Sequence, residues 1–366
     1  MTTLARKHRP AKLEDLLGQE ALVRVMTAAI ENDKIAQAYI LTGVRGVGKT
    51  TTARIIARSV NCAEGPTLTP CGSCQSCTEI AGDHSLDVIE LDAASRNGVQ
   101  DMRDLIENIG YAPMTKGARK IYIIDEAHML STSAWNALLK TLEEPPAHVI
   151  FIFATTEPRK IPATIQSRCQ KFSLRRIETD VIARHLENVA RIENAAIESG
   201  VAMTIAQAGE GSMRDALSIL DQAISGAGGQ QVTVAGVREM IGRASPREMI
   251  NTLAAIASGD VSRAVGAWRA VIDAGIDPLA ALDDLMIMLH QACLANIDAA
   301  LLSDSGIAPE DAQTLVSATK DVGVAYLHGA QKMLFETRAS AAANPNRNQA
   351  VEILIMRLAT GFARKR

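Results

Sequence analysis

Charge imbalance is almost absent from this 366-residue sequence. Its 38 Lys and Arg stand against 41 Asp and Glu, a net charge of −3. Composition therefore makes no global case for nucleic acid, and any such site must be a local patch. Long apolar runs are also missing, and none is expected to span a bilayer. The opening stretch, Met1-Thr-Thr-Leu-Ala-Arg-Lys-His-Arg-Pro10, lacks the apolar run of a signal peptide. There are no internal repeats and no low-complexity tail. The expectation is a soluble, cytoplasmic protein without a membrane partner. Its length suits two or three domains, and a hydrophobic fraction of 47% is ample for packed cores.

Cysteine is scarce, at six residues, and in a reducing compartment these are thiols or metal ligands before they are disulfides. Four of them cluster at Cys62, Cys71, Cys74 and Cys77, with proline and glycine around them. The C-x₂-C steps suit tetrahedral Zn²⁺, which would staple a loop with little apolar content of its own. Free thiols or a redox C-x-x-C are the competing readings, though a redox pair leaves the other two cysteines unexplained. With all four positions filled by protein, such a zinc is structural.

The stretch Ala38-Tyr-Ile-Leu-Thr-Gly-Val-Arg-Gly-Val-Gly-Lys-Thr-Thr-Thr52 reads strand, glycine loop, helix. Gly43, Gly48, Lys49 and Thr50 match G-x-x-x-x-G-K-[ST], the phosphate loop. Glycines let backbone N–H groups approach phosphate oxygens, and the following helix points its positive end at them. In such a loop Lys49 supplies charge for the β- and γ-phosphates and Thr50 a hydroxyl for Mg²⁺. Further strands are predicted at Asp87–Leu91, Lys120–Ile124, Val149–Ala154 and Gln170–Leu174. Short apolar runs separated by helical stretches indicate an α/β fold with a parallel sheet covered on both faces. From Glu178 to Ala223 the pattern is helical throughout. Ser225–Gly229 reads as a hinge or linker, and beyond Val237 the chain is again all helical. The apolar stripe Leu282, Leu285, Met286, Leu289, Cys293 and the stripe Val351, Leu354, Ile355, Leu358 read as helix-packing faces.

Ile121-Tyr-Ile-Ile-Asp-Glu126 ends a strand in two carboxylates, which at a parallel strand's carboxyl end face the ligand crevice. Asp125 is the candidate Mg²⁺ ligand and Glu126 the residue that orients the attacking water. Asp125-Glu-Ala-His128 also spells the motif of one helicase class, but only helices are expected after residue 178, without a second motor domain. Ser212 is a candidate helix cap with Asp215 three residues on. Arg214 then falls in the first turn, where the macrodipole disfavours a cation. This suggests an external anion; the competing reading pairs Arg214 with Glu210 or Asp215. Arg168, in Ser167-Arg-Cys169, is a candidate arginine finger that spacing alone does not decide. Arg96, Gln100 and Arg103 fall where all three can share one helix face and meet a DNA backbone. Against that stands pairing of the arginines with Asp101, Asp104 or Glu107.

Several stretches together resemble one family. They are Ala5–Pro10, Leu17-Gly-Gln-Glu20, Gly43–Thr52, the four cysteines, Asp92-Ala-Ala-Ser95, Tyr111-Ala-Pro113, Ile123–Leu130, Asn136–Pro146, Ala154-Thr-Thr-Glu-Pro158, Ser167-Arg-Cys169 and Gly211–Leu217. The chain is similar to the gamma/tau subunits of the bacterial DNA polymerase III clamp loader, which are AAA+ ATPases. The resemblance implies an AAA+ domain over 1–176 with a zinc module at about 62–77, a helical lid over 177–240 and a helical collar over 241–366.

It also implies roles. Gly43, Arg45, Gly46, Val47, Gly48, Lys49, Thr50 and Thr51 would hold ATP, with Arg9, Pro10 and Leu17 around the adenine. Thr156 is implied as the first sensor, Arg214 as the second, and Arg168 as the finger acting on a neighbouring subunit. Implied partners are the other loader subunits, in a hetero-pentamer with delta and delta-prime-like chains, the sliding clamp, and primer–template DNA. Single-strand-binding protein would be reached through other subunits. Two departures are Trp135, where phenylalanine is usual, and a slightly long Pro113–Arg119 loop. The rival functions are an ATP-dependent helicase and an ATP-binding scaffold without turnover.

Overall fold

The computed structural model describes residues 3–298, 309–320 and 322–363. The chain forms two compact units. One comprises Met1–Asn194 with Ile205–Gln222, the other Ala195–Thr204 with Ala223–Arg366.

The first unit is built on five parallel strands: β1 (Ala38–Thr42), β2 (Val88–Asp92), β3 (Lys120–Asp125), β4 (Val149–Thr155) and β5 (Gln170–Ser173). Their order across the sheet is β2-β3-β4-β1-β5. Alternation along each strand sends successive side chains to opposite faces. Tyr39, Leu41, Ile121, Ile123, Ile150 and Ile152 meet Ala53, Ile55, Ile56 and Val60 of the helix Lys49–Asn61 and Leu22, Met26 and Ile30 of the helix Glu20–Glu31. Ile40, Tyr122, Phe151 and Phe153 meet Met102 and Leu105 of the helix Val99–Ile109 and Trp135 and Leu138 of the helix Thr132–Glu143. Both faces are thus covered, which is why the central strands read as unbroken apolar runs. Trp135 is buried with its ring 5.2 Å from that of Phe153. The larger indole at this position is accommodated as core.

The second unit is helical among its described residues, apart from one isolated bridge between Ile197 and Val232. Leu282, Leu285, Leu289 and Cys293 lie in its core together with Val351, Leu354, Ile355 and Leu358, as the stripes predict, with Met286 only partly buried. Trp268 is fully buried there, its Nε1–H donating to Asn348 Oδ1 at 2.9 Å.

The structure corrects several expectations. The stretch from Glu178 to Ala223 is not continuously helical. Helices Thr179–Ile192, Val201–Ala208 and Met213–Gly226 are separated by turns, with Asn194 and Glu210 at positive φ. The predicted linker begins inside the last of these helices, and the turn falls only after Gly226. Pro278–Ile297 is, by length and composition, apolar enough to cross a membrane. It contributes Leu282, Leu285 and Leu289 to the helical core, so it reads as a core helix. Arg96 is not on the helix with Gln100 and Arg103, because that helix starts at Val99 with Gly98 as its cap.

Candidate functional site

Strand order places the loop after β1, the residues after β4 and the acidic end of β3 side by side at the carboxyl edge of the sheet. The loop after β1 has its backbone folded by glycines at positive φ, namely Gly43 at 150°, Gly46 at 75° and Gly48 at 102°. L side chains rarely adopt these angles. At Gly43 a Cβ would also press on the Leu174 carbonyl oxygen at 2.8 Å. Lys49 opens the following helix, and its buried ammonium donates to the Gly43 and Val44 carbonyls, 3.0 Å each. Burial pulls the Lys49 pKa below its ordinary value, opposed by Glu126 and then Asp125. The free N–H groups of a helix start beside a buried cation form a cradle for an anion such as a nucleotide phosphate.

Two strands away, Asp125 reaches the same helix. The Thr50 hydroxyl donates to Asp125 Oδ2 at 2.6 Å, and Asp125 Oδ1 accepts from the Glu126 N–H at 2.9 Å. A hydroxyl and a carboxylate this close are hard oxygen donors that fit Mg²⁺. Glu126 sits at φ 45°, a left-handed conformation that costs a non-glycine residue energy and is worth a functional explanation. The Thr156 hydroxyl donates to Glu126 Oε2 at 3.3 Å. Lys49, Thr50, Asp125, Glu126 and Thr156 therefore converge.

Around the loop, Val47 is buried, Arg45 is exposed and Thr51 is half-buried. Arg9 is exposed, whereas Pro10 and Leu17 are half-buried. Although the residue as a whole is exposed, partial desolvation of its guanidinium, then Arg54, depresses the Arg9 pKa, with Arg214 adding to the same effect. Ser212 packs so closely on Gly46 that a side chain there would collide with its hydroxyl. Ser212 Oγ accepts from the Asp215 N–H at 3.2 Å, and the Arg214 N–H points at the Gly46 carbonyl at 3.5 Å. The helix that starts at Met213 thus begins against the glycine loop. Arg214 is exposed and forms no ion pair with Glu210 or Asp215 among the described residues.

Arg168 lies elsewhere. β5 runs parallel to β1, with Tyr39 opposite Gln170 and Thr42 opposite Ser173. Arg168 therefore emerges at the amino ends of the strands, and the glycine loop at their carboxyl ends. The strand body between, Ala38–Thr42, is about 16 Å long at about 3.3 Å per residue. Arg168 donates to the Thr164 carbonyl at 2.6 Å and pairs with Glu143 at 2.5 Å. Sequence reasoning did not mark Glu143. Gln19, quoted in the Leu17–Glu20 stretch but given no role there, bonds Arg175 through its amide in both directions at 2.9 and 3.0 Å and so ties the exit of β5 to the start of the helix Glu20–Glu31.

Cys62, Cys71, Cys74 and Cys77 bring their sulfurs within 4.8 Å of one another. Zinc–sulfur bonds of about 2.3 Å imply sulfur–sulfur edges of about 3.8 Å in a tetrahedron, so the cluster needs only a slight contraction around an ion. Backbone N–H groups of Ala63, Cys71, Cys74 and Cys77 point at the sulfurs, at 3.3–3.5 Å. The Cys74 N–H bond leads the causes that hold Cys71 at about 6, while burial pushes Cys77 up to about 12. The donor set fits a structural metal rather than disulfides.

Asp101 Oδ2 accepts the Gly98 N–H at 3.0 Å, and Gln100 donates to Asp104 at 2.8 Å. Arg96 and Arg103 are exposed, and no ion pair of either occurs among the described residues. The acids that would have neutralised them are partly occupied in this way.

Family comparisons agree with this geometry. Residues 18–178 match the DNA polymerase III delta subunit, 181–229 the ATPase lid domain of DNA polymerase III clamp loader subunits, and 232–364 domain III of the gamma and tau subunits. The tau subunit of Salmonella typhimurium is 38% identical over 354 residues, which is 97% of this chain and 54% of that protein. The chain belongs to the DNA polymerase III gamma/tau family. The tau subunit of Escherichia coli is 38% identical over 357 residues, covering 97% and 54%. That of Bacillus subtilis is 42% identical over 291 residues, covering 80% and 51%. The chain spans about half the length of these relatives. The helix Met213–Gly226, which meets the phosphate loop, falls within the lid-domain match.

Proposed function

We propose that the chain is the ATP-hydrolysing motor subunit of a DNA polymerase III clamp loader. On this reading it binds and hydrolyses ATP to open the sliding clamp and load it onto primer–template DNA during replication, in the cytoplasm. The observation that carries the reading is the Thr50–Asp125 contact of 2.6 Å beside the buried Lys49, at the edge where β1 and β3 end. Phosphoryl transfer needs positioning and charge neutralisation more than covalent chemistry. Lys49 and the N–H groups of Gly43–Thr51 hold the phosphates, and Arg214 approaches them from the lid helix. Arg9, Pro10 and Leu17 flank the base. Thr50 and Asp125 would hold Mg²⁺, which when bound would neutralise phosphate charge. Glu126 orients the attacking water, and Thr156 steadies Glu126.

Arg168 is proposed to act on a neighbouring subunit's nucleotide. Its place at the opposite end of the sheet from its own glycine loop supports action between chains. The proposed domains are 1–176, 177–240 and 241–366, a division close to the limits of the three family matches. The proposed partners are the other loader subunits in a hetero-pentamer, the clamp and primed DNA. The deciding experiment is the ATPase rate of the reconstituted complex, with and without clamp and primed DNA. Stimulation by both together is expected. Absence of turnover would favour an ATP-binding scaffold, and sustained strand unwinding without a clamp would favour a helicase.

The four cysteines are proposed to hold one Zn²⁺ per chain. Elemental analysis of the purified protein should find it, and a metal-free protein with all four thiols titratable would refute the assignment.

For Arg96, Gln100 and Arg103 the proposed ligand is the DNA backbone. Arg96→Ala and Arg103→Ala should weaken primed-DNA binding by the assembled, ATP-bound complex equally for any sequence, each lowering the salt slope by about one unit. An unchanged affinity and slope in the double variant would move the DNA site elsewhere.

A further inference from the structure

The histidine of Asp125-Glu-Ala-His128 has no part in the chemistry above, yet the structure puts it against that chemistry. Its side chain is 9% exposed. Nδ1 lies 3.1 Å from Thr155 Oγ1 and 3.4 Å from Glu126 Oε2. On the other edge, Nε2 lies 3.4 Å from Glu157 Oε1. Thr155 Oγ1 also accepts the Glu157 N–H at 3.0 Å. The imidazole therefore spans the turn after β3, which carries Glu126, and the turn after β4, which carries Thr156. Each ring edge faces a carboxylate oxygen, and the protonated ring has a donor for each. Lys160 pairs with Glu157 at 2.8 Å on the solvent side. Lys160, then His128, contributes to holding the exposed Glu157 carboxyl below its usual range.

We propose that His128 is a positioning residue: its Nδ1 edge steers the Glu126 carboxylate, and its Nε2 edge anchors that arrangement to Glu157 on the loop after β4. The proposal rests on the ATPase reading. Glu126 leaves the sheet in a left-handed conformation, and among the described residues its side chain accepts one hydrogen bond, from the Thr156 hydroxyl at 3.3 Å. A carboxylate held by one long hydrogen bond swings readily. A buried ring wedged behind it limits that swing and links the water-orienting group to the loop that carries Thr156. Orientation of this kind affects the chemical step and leaves nucleotide binding alone.

The test is steady-state ATP hydrolysis by the assembled complex carrying variants at these positions. His128→Ala should lower kcat roughly 10- to 100-fold while leaving the KM for ATP and nucleotide affinity unchanged. Asn carries its amide where Nδ1 stands, and Gln where Nε2 stands. His128→Asn should therefore recover to within about 3-fold of wild type and His128→Gln should not, because the Nδ1 side is the one that meets Glu126. Glu157→Gln, on an exposed side chain, should cost about 3-fold alone and nothing further in the His128→Ala background, as coupled neighbours do.

Unchanged or raised kcat in His128→Ala, equal activities of the Asn and Gln variants, or a loss confined to KM would each overturn the proposal. If His128→Ala fails to fold, the Asn/Gln pair and Glu157→Gln still decide. A wild-type complex without turnover would remove the ATPase reading itself. Wild-type turnover with an indifferent His128 would remove only this role.

Discussion

Arg168→Ala is expected to leave ATP binding by the altered chain intact and to slow hydrolysis in the assembled complex by about 10³-fold or more, the scale of a lost arginine finger. The expectation comes from the parallel pairing of β1 with β5, which puts Arg168 and the glycine loop at opposite ends of the same strands. A guanidinium there cannot reach its own chain's phosphates across the strand body, whereas a neighbour packed against that edge can present its own site. Dilution gives the matching result: the isolated chain should be a poor ATPase. If the wild-type monomer at high dilution turns over ATP as fast as the complex, action between subunits is refuted. The pairing of Arg168 with Glu143 adds a detail to this picture. The pair is partly exposed, so its own contribution to stability is small. The contact, with the bond to the Thr164 carbonyl, fixes the direction of the arginine in this structure.

Lys49→Ala is expected to act at the earlier step, lowering ATP affinity on the order of 100-fold, as loss of charge-assisted contacts to phosphate would. Equilibrium titration with a fluorescent ATP analogue measures it. Lys49 is buried and donates to the Gly43 and Val44 carbonyls, so its removal also loosens the loop it organises. Lys49→Arg distinguishes the two effects. It keeps the charge but exchanges a point ammonium for a wide planar fork, so it should restore some loop stability and little binding. Unchanged affinity in both variants would show that the nucleotide is held elsewhere.

Much of the fold was legible because its signals are local. The three central strands, β1, β3 and β4, are short apolar runs, and a strand buried on both faces has no polar side to interrupt the run. The phosphate loop was legible for the same reason: Gly43, Gly46 and Gly48 each occupy positive φ, and only glycine does so without strain. The cysteine cluster could be read from spacing because Cys71, Cys74 and Cys77, each separated by two residues, bring their sulfurs together with little chain between them.

Signals that depend on where a segment ends were less secure. The helix bearing Gln100 and Arg103 begins after Gly98, and that boundary alone removes Arg96 from the shared face. The helix through Gly226 persists past the point where Ser225 and the following glycines suggested a linker.

By itself the sequence determined that this chain carries a phosphate loop, an acidic strand end and four clustered thiols, because each of those chemistries is written in contiguous residues. Only the tertiary structure decided which of these residues meet. Thr50 and Asp125 are 75 positions apart yet touch at 2.6 Å, because the sheet sets β3 two strands from β1 with both carboxyl ends level. His128 reads in the sequence as one letter of a helicase-like motif. In space it lies between Glu126 and Glu157, because β3 and β4 are neighbours and their terminal turns share one edge. Arg168 reads as a finger with no stated direction until the parallel pairing of β5 with β1 sends it to the opposite edge. Spacing along a chain carries local geometry, and the order and direction of strands, which set these three contacts, emerge only when distant segments pack.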